Sequence, residues 1–256
     1  THCISSAASD VYKRQHYHNI ALKPSEYQKQ IVASLAERAE KVRNREVDSR
    51  VDNMLLITND GRKLALDQRL VNPMLPSDPD SKAAKCAENV FEIWQRTADQ
   101  RSTQMIFCDL STPGKERPIE MVQKEDGSFG MAPFKNVYED IRTKLIELGV
   151  PENEIAFIHN AKSEVQKKDL FGKVRNGQVR ILLGSTQRMG AGTNCQQKLV
   201  ALHHLDCPWR PSDLQQREGR IIRQGNENKE VDIYSYVTEG TFDAYLYQLV
   251  ESKQKF

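Results

Sequence analysis

Apolar residues recur at helical spacing in three stretches of the chain. Tyr27, Ile31, Leu35 and Ala39 form one stripe of a charged segment running from residue 25 to about 44. Ala83, Ala87, Val90, Phe91 and Trp94 do the same between 81 and about 98. Phe134, Val137, Tyr138, Ile141, Leu145 and Leu148 mark a third amphipathic helix. Steps of three or four positions stack side chains on one helix face. Short apolar runs at 104–109, 155–158, 181–186, 199–206 and 231–237 have the length and composition of strands. Strands alternating with helices of ~10–15 residues imply βαβ units and a mostly parallel sheet. In such sheets ligands gather at the carboxyl ends of the strands. Asp109 to Thr112, His159, Asn160, Ser185, Thr186 and Asp206 all fall at those ends.

The pattern also breaks in places. Gly61, Pro73, Pro76 and Pro79 predict a linker, so residues 16–80 read as a helical linker region ahead of one α/β lobe at 81–256. Residues 1–15 share no pattern with the rest and begin without methionine, which sets them aside as a fragment edge or non-native segment. His16 and His18 beside that edge form an incidental H-x-H, and no metal site is expected. Residues 111–132 turn polar and glycine-rich, with Lys124, Glu125, Asp126 and Gly127 reading as a hairpin turn. This is a solvated loop or, with Lys115 and Arg117, an insertion that tracks DNA.

Composition narrows the class without naming a function. At 256 residues and 38% hydrophobic content the chain can bury an ordinary globular core. Its 37 basic and 35 acidic residues leave +2, so any nucleic-acid contact must come from local placement. Five cysteines without a C-x-x-C pair exclude a zinc or disulfide framework and favour a reducing cytoplasm. No apolar run approaches the ~20 residues that cross a bilayer, and no membrane role is expected.

The chemistry concentrates near the carboxyl terminus. Gln216, Arg220 and Arg223 follow the spacing Q-x-x-G-R-x-x-R, which would place them on one face of a helix. Guanidinium groups stay charged and grip phosphate oxygens in a fork, so two of them one turn apart can clamp a phosphoryl group. A bare arginine pair is equally a solvated basic face partnered by Glu218 and Asp213. Upstream, the strand ending at Ser185 and Thr186 runs into a loop containing Gly190, Gly192 and Asn194. Backbone N–H groups at such a strand-to-helix turn can cradle an anion.

Taken in order, these segments resemble the second motor lobe of superfamily-two helicases, in the Swi/Snf-like branch of DNA translocases. Ser185-Thr186 with Gly190, Gly192 and Asn194 resembles the fifth helicase motif, and Trp209-x-Pro211 ahead of Gln216, Arg220 and Arg223 the sixth. The strand at 104–109 fits the fourth, Leu66 to Pro73 the segment bridging two lobes, and Val231 to Thr241 the strand and turn after the sixth. The matches span residues 60 to 250. Gly219 and Asn226 depart from the acidic or small residue and the glutamine common in that branch. The wording is most similar to the large helicase and DNA-methylase polypeptides of phages and conjugative elements.

The resemblance implies a RecA-like fold, ATP, Mg2+ and DNA, with the duplex form favoured, in a bacterial or phage-encoded cytoplasmic protein. It assigns Arg220 and Arg223 as arginine fingers, Gln216 as their positioning partner, and Gly190, Gly192 and Asn194 to the nucleotide. Ser185, Thr186 and Thr112 would hold DNA phosphate, while His159 is expected to be a satisfied buried histidine and Trp209 to pack beneath the sixth motif. No G-x-x-x-x-G-K followed by Ser or Thr occurs, because Gly114-Lys115 precedes Glu116. The phosphate lysine, the Mg2+ carboxylate and the base for water are therefore expected from an amino-terminal RecA-like lobe of a longer polypeptide, and the chain alone should be inactive. A non-catalytic nucleic-acid-binding or regulatory module is the alternative. A Rossmann-like cofactor enzyme fails for want of its G-x-G-x-x-G turn.

Overall fold

The computed structural model describes residues 13–114, 121–123, 129–131, 134–190 and 194–254. Its first element is a strand, β1 (Arg14–Leu22), where the sequence suggested a helical linker. β1 lies parallel to the last strand of the chain, from Arg14 beside Glu230 to Leu22 beside Thr238. Arg14 and Gln15, set aside on sequence grounds, thus belong to the sheet.

Helix α1 (Glu26–Arg43) starts where predicted, because Ser25 and Gln28 close a reciprocal capping box. Gln28 also donates to the Leu64 carbonyl at 2.8 Å, tying α1 to the next helix. That helix, α2 (Met54–Leu66), is capped by Asn53 and lies within the region read as a helical linker. Gly61 lies inside it, where a Cβ would stand 3.3 Å from Cβ of Phe242. The glycine marks a close approach between two helices, and only Pro73, Pro76 and Pro79 lie in irregular chain. Ser81 then caps α3 (Lys82–Arg96), which feeds β2 (Thr103–Phe107).

Strands β3 (Met121–Gln123) and β4 (Phe129–Met131) pair antiparallel, as a hairpin requires. The turn between them lies outside the described residues, as do Lys115 and Arg117 ahead of β3. Asn136 caps α4 (Val137–Leu148), and Gly149 ends it at φ 111, a left-handed conformation suited to glycine. The chain continues through β5 (Ile155–Phe157), α5 (Glu164–Arg175), β6 (Ile181–Gly184), α6 (Thr186–Gly190) and β7 (Leu199–His204). It closes with α7 (Pro211–Glu218), β8 (Glu230–Thr238) and α8 (Phe242–Gln254).

Six strands form one sheet in the order β1-β8-β7-β2-β6-β5, and every pairing in it is parallel. The expected α/β architecture is what forms. Successive residues of β2 face opposite sides: Ile106 packs with Ala87, Val90 and Ile141 of α3 and α4. Met105 and Phe107 pack instead with Phe171, Val174, Met189 and Ile221 on the other face. Burying each such large side chain is worth ~1.5–3 kcal/mol. Covering both faces leaves the carboxyl ends of the central strands as the place where polar chemistry collects.

Candidate functional site

Three strand ends meet in one buried polar network. Asp206, just past β7, accepts from the Asp109 and Leu110 amides at the end of β2, at 2.5 and 2.9 Å. Asp109 accepts from the Thr186 amide and hydroxyl at the start of α6, at 2.7 and 2.8 Å. Arg217 on α7 joins them, donating to Thr186 Oγ1 at 2.7 Å, Asp109 at 2.8 Å, and the Asp206 carboxylate at 3.0 Å and carbonyl at 2.9 Å. Its guanidinium also lies 5.2 Å from the centre of the Phe107 ring.

The local sequence explains why α7 delivers Arg217 there. Pro211 occupies the first turn, where its missing N–H costs nothing, and Leu214 and Arg217 are the buried residues of the helix. Burial alone pulls Arg217 down, but the Asp206 and Asp109 charges outweigh it and hold the guanidinium above its ordinary value. Burial likewise pushes Asp109 up, and Arg217 with the Thr186 hydrogen bonds brings it below the usual carboxylate range.

The predicted arginine face does not lie on a single helix. α7 ends at Glu218, and Gly219, a poor helix former, starts a tighter turn. The Arg220 and Ile221 amides donate to the Arg217 and Glu218 carbonyls at 3.1 and 3.0 Å, a spacing of three residues. Ile221 turns into the core beneath the sheet. Gln216 is exposed on the helix, Arg220 is half-buried in the turn and Arg223 is exposed beyond it. Burial, then the neighbouring charge of Arg223, pulls Arg220 below the ordinary guanidinium value. Among the described residues, neither Arg220 nor Arg223 has a carboxylate within ion-pair distance.

Other expected site residues divide. The buried Ser185 hydroxyl accepts from the Arg188 amide at 3.3 Å. Thr186 begins a one-turn helix where an open loop was expected, and its hydroxyl is committed to Asp109 and Arg217. Gly190 ends that turn, Gly192 lies outside the described residues, and Asn194 is exposed. Thr112 is half-buried beside Ser111, whose hydroxyl accepts from the Val137 amide. His159 is not the satisfied buried histidine expected: it is half-buried edge-on to Tyr138, and its Nδ1 has no partner. Trp209 contacts Phe242 and carries Arg62 over its ring at 4.7 Å, yet stays 46% exposed rather than packing beneath the motif.

Sequence reasoning placed Asp109 and Asp206 at strand ends but missed their shared arginine. The signal was present, since Leu214, Arg217 and Ile221 are spaced as one buried face. It also missed His204, fully buried with both ring nitrogens unpartnered and 3.8 Å from Glu218. Burial, with the Arg217 and His203 charges, drives His204 well below its ordinary value. Among the described residues no cluster of histidine, cysteine or carboxylate side chains is arranged to hold a metal ion. No helix among them is long and apolar enough to cross a membrane.

Comparison with known proteins bears on the fold. Residues 119–225 match the helicase conserved C-terminal domain. The fold is the RecA-like one of carboxy-terminal SWI2/SNF2 ATPase lobes. The C-terminal part of the Fun30 ATPase domain superposes with TM-score 0.63 at 13% identity, covering 93% of this chain and 90% of that one. The Sulfolobus solfataricus SWI2/SNF2 ATPase C-terminal domain gives 0.58 at 17%, covering 94% and 87%. The Sulfolobus ATPase core in complex with dsDNA gives 0.56 at 18%, covering 94% and 44%.

Among curated proteins, the "Defense against restriction protein B" of Escherichia phage P1 is 29% identical over 79 residues. The uncharacterized ATP-dependent helicase YqhH of Bacillus subtilis (strain 168) is 34% identical over 87 residues. These alignments cover 31% and 34% of this chain, and only 4% and 15% of the respective relatives.

Proposed function

We propose that this chain is the second motor lobe of an ATP-dependent DNA helicase or translocase. Arg220 and Arg223 stabilise charge on the γ-phosphoryl group of ATP bound by a first lobe outside these 256 residues. The observation that carries this reading is a pair of neighbouring guanidiniums with no carboxylate at ion-pair distance among the described residues, three and six residues beyond an arginine that takes two. Two such guanidinium forks fit a polyphosphate. Gln216 is proposed to position them, and Gly190, Gly192 and Asn194 to meet the nucleotide.

Mg2+ belongs with the carboxylate of the first lobe. Ser185 and Thr112 offer hydroxyls to DNA phosphate, which sets register without reading bases. Thr186 gives its only hydroxyl proton to Asp109 and supports that wall instead. Lobe closure on ATP and reopening after hydrolysis would move the motor along duplex DNA, in a cytoplasmic bacterial or phage setting.

DNA-stimulated ATP hydrolysis tests this in the chain alone and in a version extended upstream through a first lobe. Silence alone and turnover when extended are expected. Arg223→Ala in the extended protein should lower kcat by ~10³-fold, as for arginine fingers generally, with DNA binding retained. Full turnover in that variant would sink the motor reading and leave a non-catalytic nucleic-acid-binding or regulatory module.

A further inference from the structure

The segment bearing Arg220 and Arg223 is pinned at both ends by buried polar side chains. At its start stands Arg217, locked to Asp109, Asp206 and Thr186. At its end stands Asn226, 7% exposed, whose entire amide is used. Its Nδ2 donates to the Ile221 and Leu199 carbonyls, both at 2.8 Å. Its Oδ1 accepts from the Asn228 amide at 2.9 Å and the Asn228 side chain at 3.0 Å.

Four such bonds satisfy every donor and the acceptor of an asparagine side chain. They join three places: the turn between the two arginines, the start of β7, and the entry to β8. Leu199 lies where the β2–β7 register skips a residue, between Leu199 beside Thr103 and Ala201 beside Gln104. Gly225, at φ 88, supplies the left-handed bend that brings Asn226 back under the turn. Gln196 Nε2 holds the Gln224 carbonyl at 3.0 Å, and the Glu227 amide donates to the Gln197 carbonyl at 2.8 Å.

Resting on the arginine-finger reading above, we infer that Asn226 is a positioning residue that sets where Arg220 and Arg223 stand. Among the described residues no carboxylate holds the guanidiniums of the two arginines, so their placement depends on the backbone that carries them. Ile221, next to Arg220, is held from inside by its apolar side chain and from behind by Asn226 on its carbonyl. A shift of ~1 Å in such a group is enough to cost a hundredfold in rate. The amide chemistry is specific, because a carboxylate of the same shape would set an oxygen against two carbonyl oxygens.

The test is the isosteric Asn226→Asp in the upstream-extended, ATP-hydrolysing protein, beside Arg223→Ala and the unchanged sequence. The expected result is at least a tenfold fall in kcat, with KM for ATP and DNA affinity within twofold of the parent and the folded fraction unchanged. If that variant does not fold, Asn226→Gln decides, since it keeps the amide but moves it by one methylene; a threefold or greater loss of kcat at constant KM is expected. Parent-like kcat in the folded variant, or a loss that merely tracks the folded fraction, overturns the inference while Arg223→Ala remains inactive. If Arg223→Ala itself turns over normally, the arginine-finger reading has failed, and the role given to Asn226 falls with it.

Discussion

Arg217 and Arg223 stand six positions apart and live in opposite environments. Arg217 has a side chain with no solvent exposure, two carboxylates, a hydroxyl and a carbonyl as partners, and an aromatic ring beside it. Arg223 is exposed and nearby Arg220 is half-buried, with no carboxylate on either among the described residues. A residue that neutralises buried charge holds strand ends together. One that carries charge outward, on a backbone fixed from behind, is available to a ligand. The contrast separates an arginine taken up by the lobe's own carboxylates from a pair that, among the described residues, has none.

Removing the counter-ion should break the buried half outright. Arg217→Met leaves Asp109 and Asp206 facing each other at the ends of β2 and β7. The expected loss is ~3–5 kcal/mol of unfolding free energy, read by denaturant titration of the chain. A loss below 1 kcal/mol would show that the carboxylates find other partners, and the contrast with Arg223 would collapse.

Acid should weaken the same side next. Burial, with a smaller contribution from His18, pulls His203 down to about 3, and His204 also lies well below its ordinary value. Both therefore fold neutral, so the stability they contribute is complete above the unfolded value of ~6.5 and is lost as pH falls below it. For His203 the loss continues down to about 3. Each histidine should cost ~1.4 kcal/mol per pH unit through that window. His203→Gln, measured at several pH values between 7 and 5, should remove one such increment from the slope. Asp109, held low by Arg217, adds its own loss only as pH falls beneath the ordinary carboxylate range.

The smallest effect belongs to the outward pair. Arg223→Ala should change unfolding free energy by less than ~0.5 kcal/mol, as exposed substitutions do. A destabilisation of 2 kcal/mol or more would mean that Arg223 is structural after all. This comparison needs only the chain itself, so it stands apart from any assay of turnover.

Much of the architecture was legible because it is written in neighbouring residues. Apolar stripes and capping residues announced α1, α3 and α4, and the apolar runs announced β2, β5, β6, β7 and β8. α2 was missed because Gly61 reads as a breaker, whereas its missing Cβ serves the contact with Phe242. α5 was passed over because only Phe171 and Val174 of its residues are buried, which is too faint a stripe. β1 was lost to the ragged start of the chain, since Arg14 meets its partner Glu230 at a separation of 216 residues.

The same division runs through the site. Local spacing identified an arginine-rich segment beside a glycine loop, and strand-end rules placed Asp109, Thr186 and Asp206 at one edge, because periodicity and turn chemistry act over a few residues. Which arginine would be consumed inside the lobe was decided only by tertiary structure. Asp109 lies 108 residues from Arg217, and their meeting depends on β2 and β7 being neighbours in the sheet. Helix spacing also promised one continuous face for Gln216, Arg220 and Arg223. The burial of Ile221 and the Asn226 clasp turned the backbone after Glu218 instead. Helix propensity is worth a few tenths of a kcal/mol per residue, and packing into a core outweighs it.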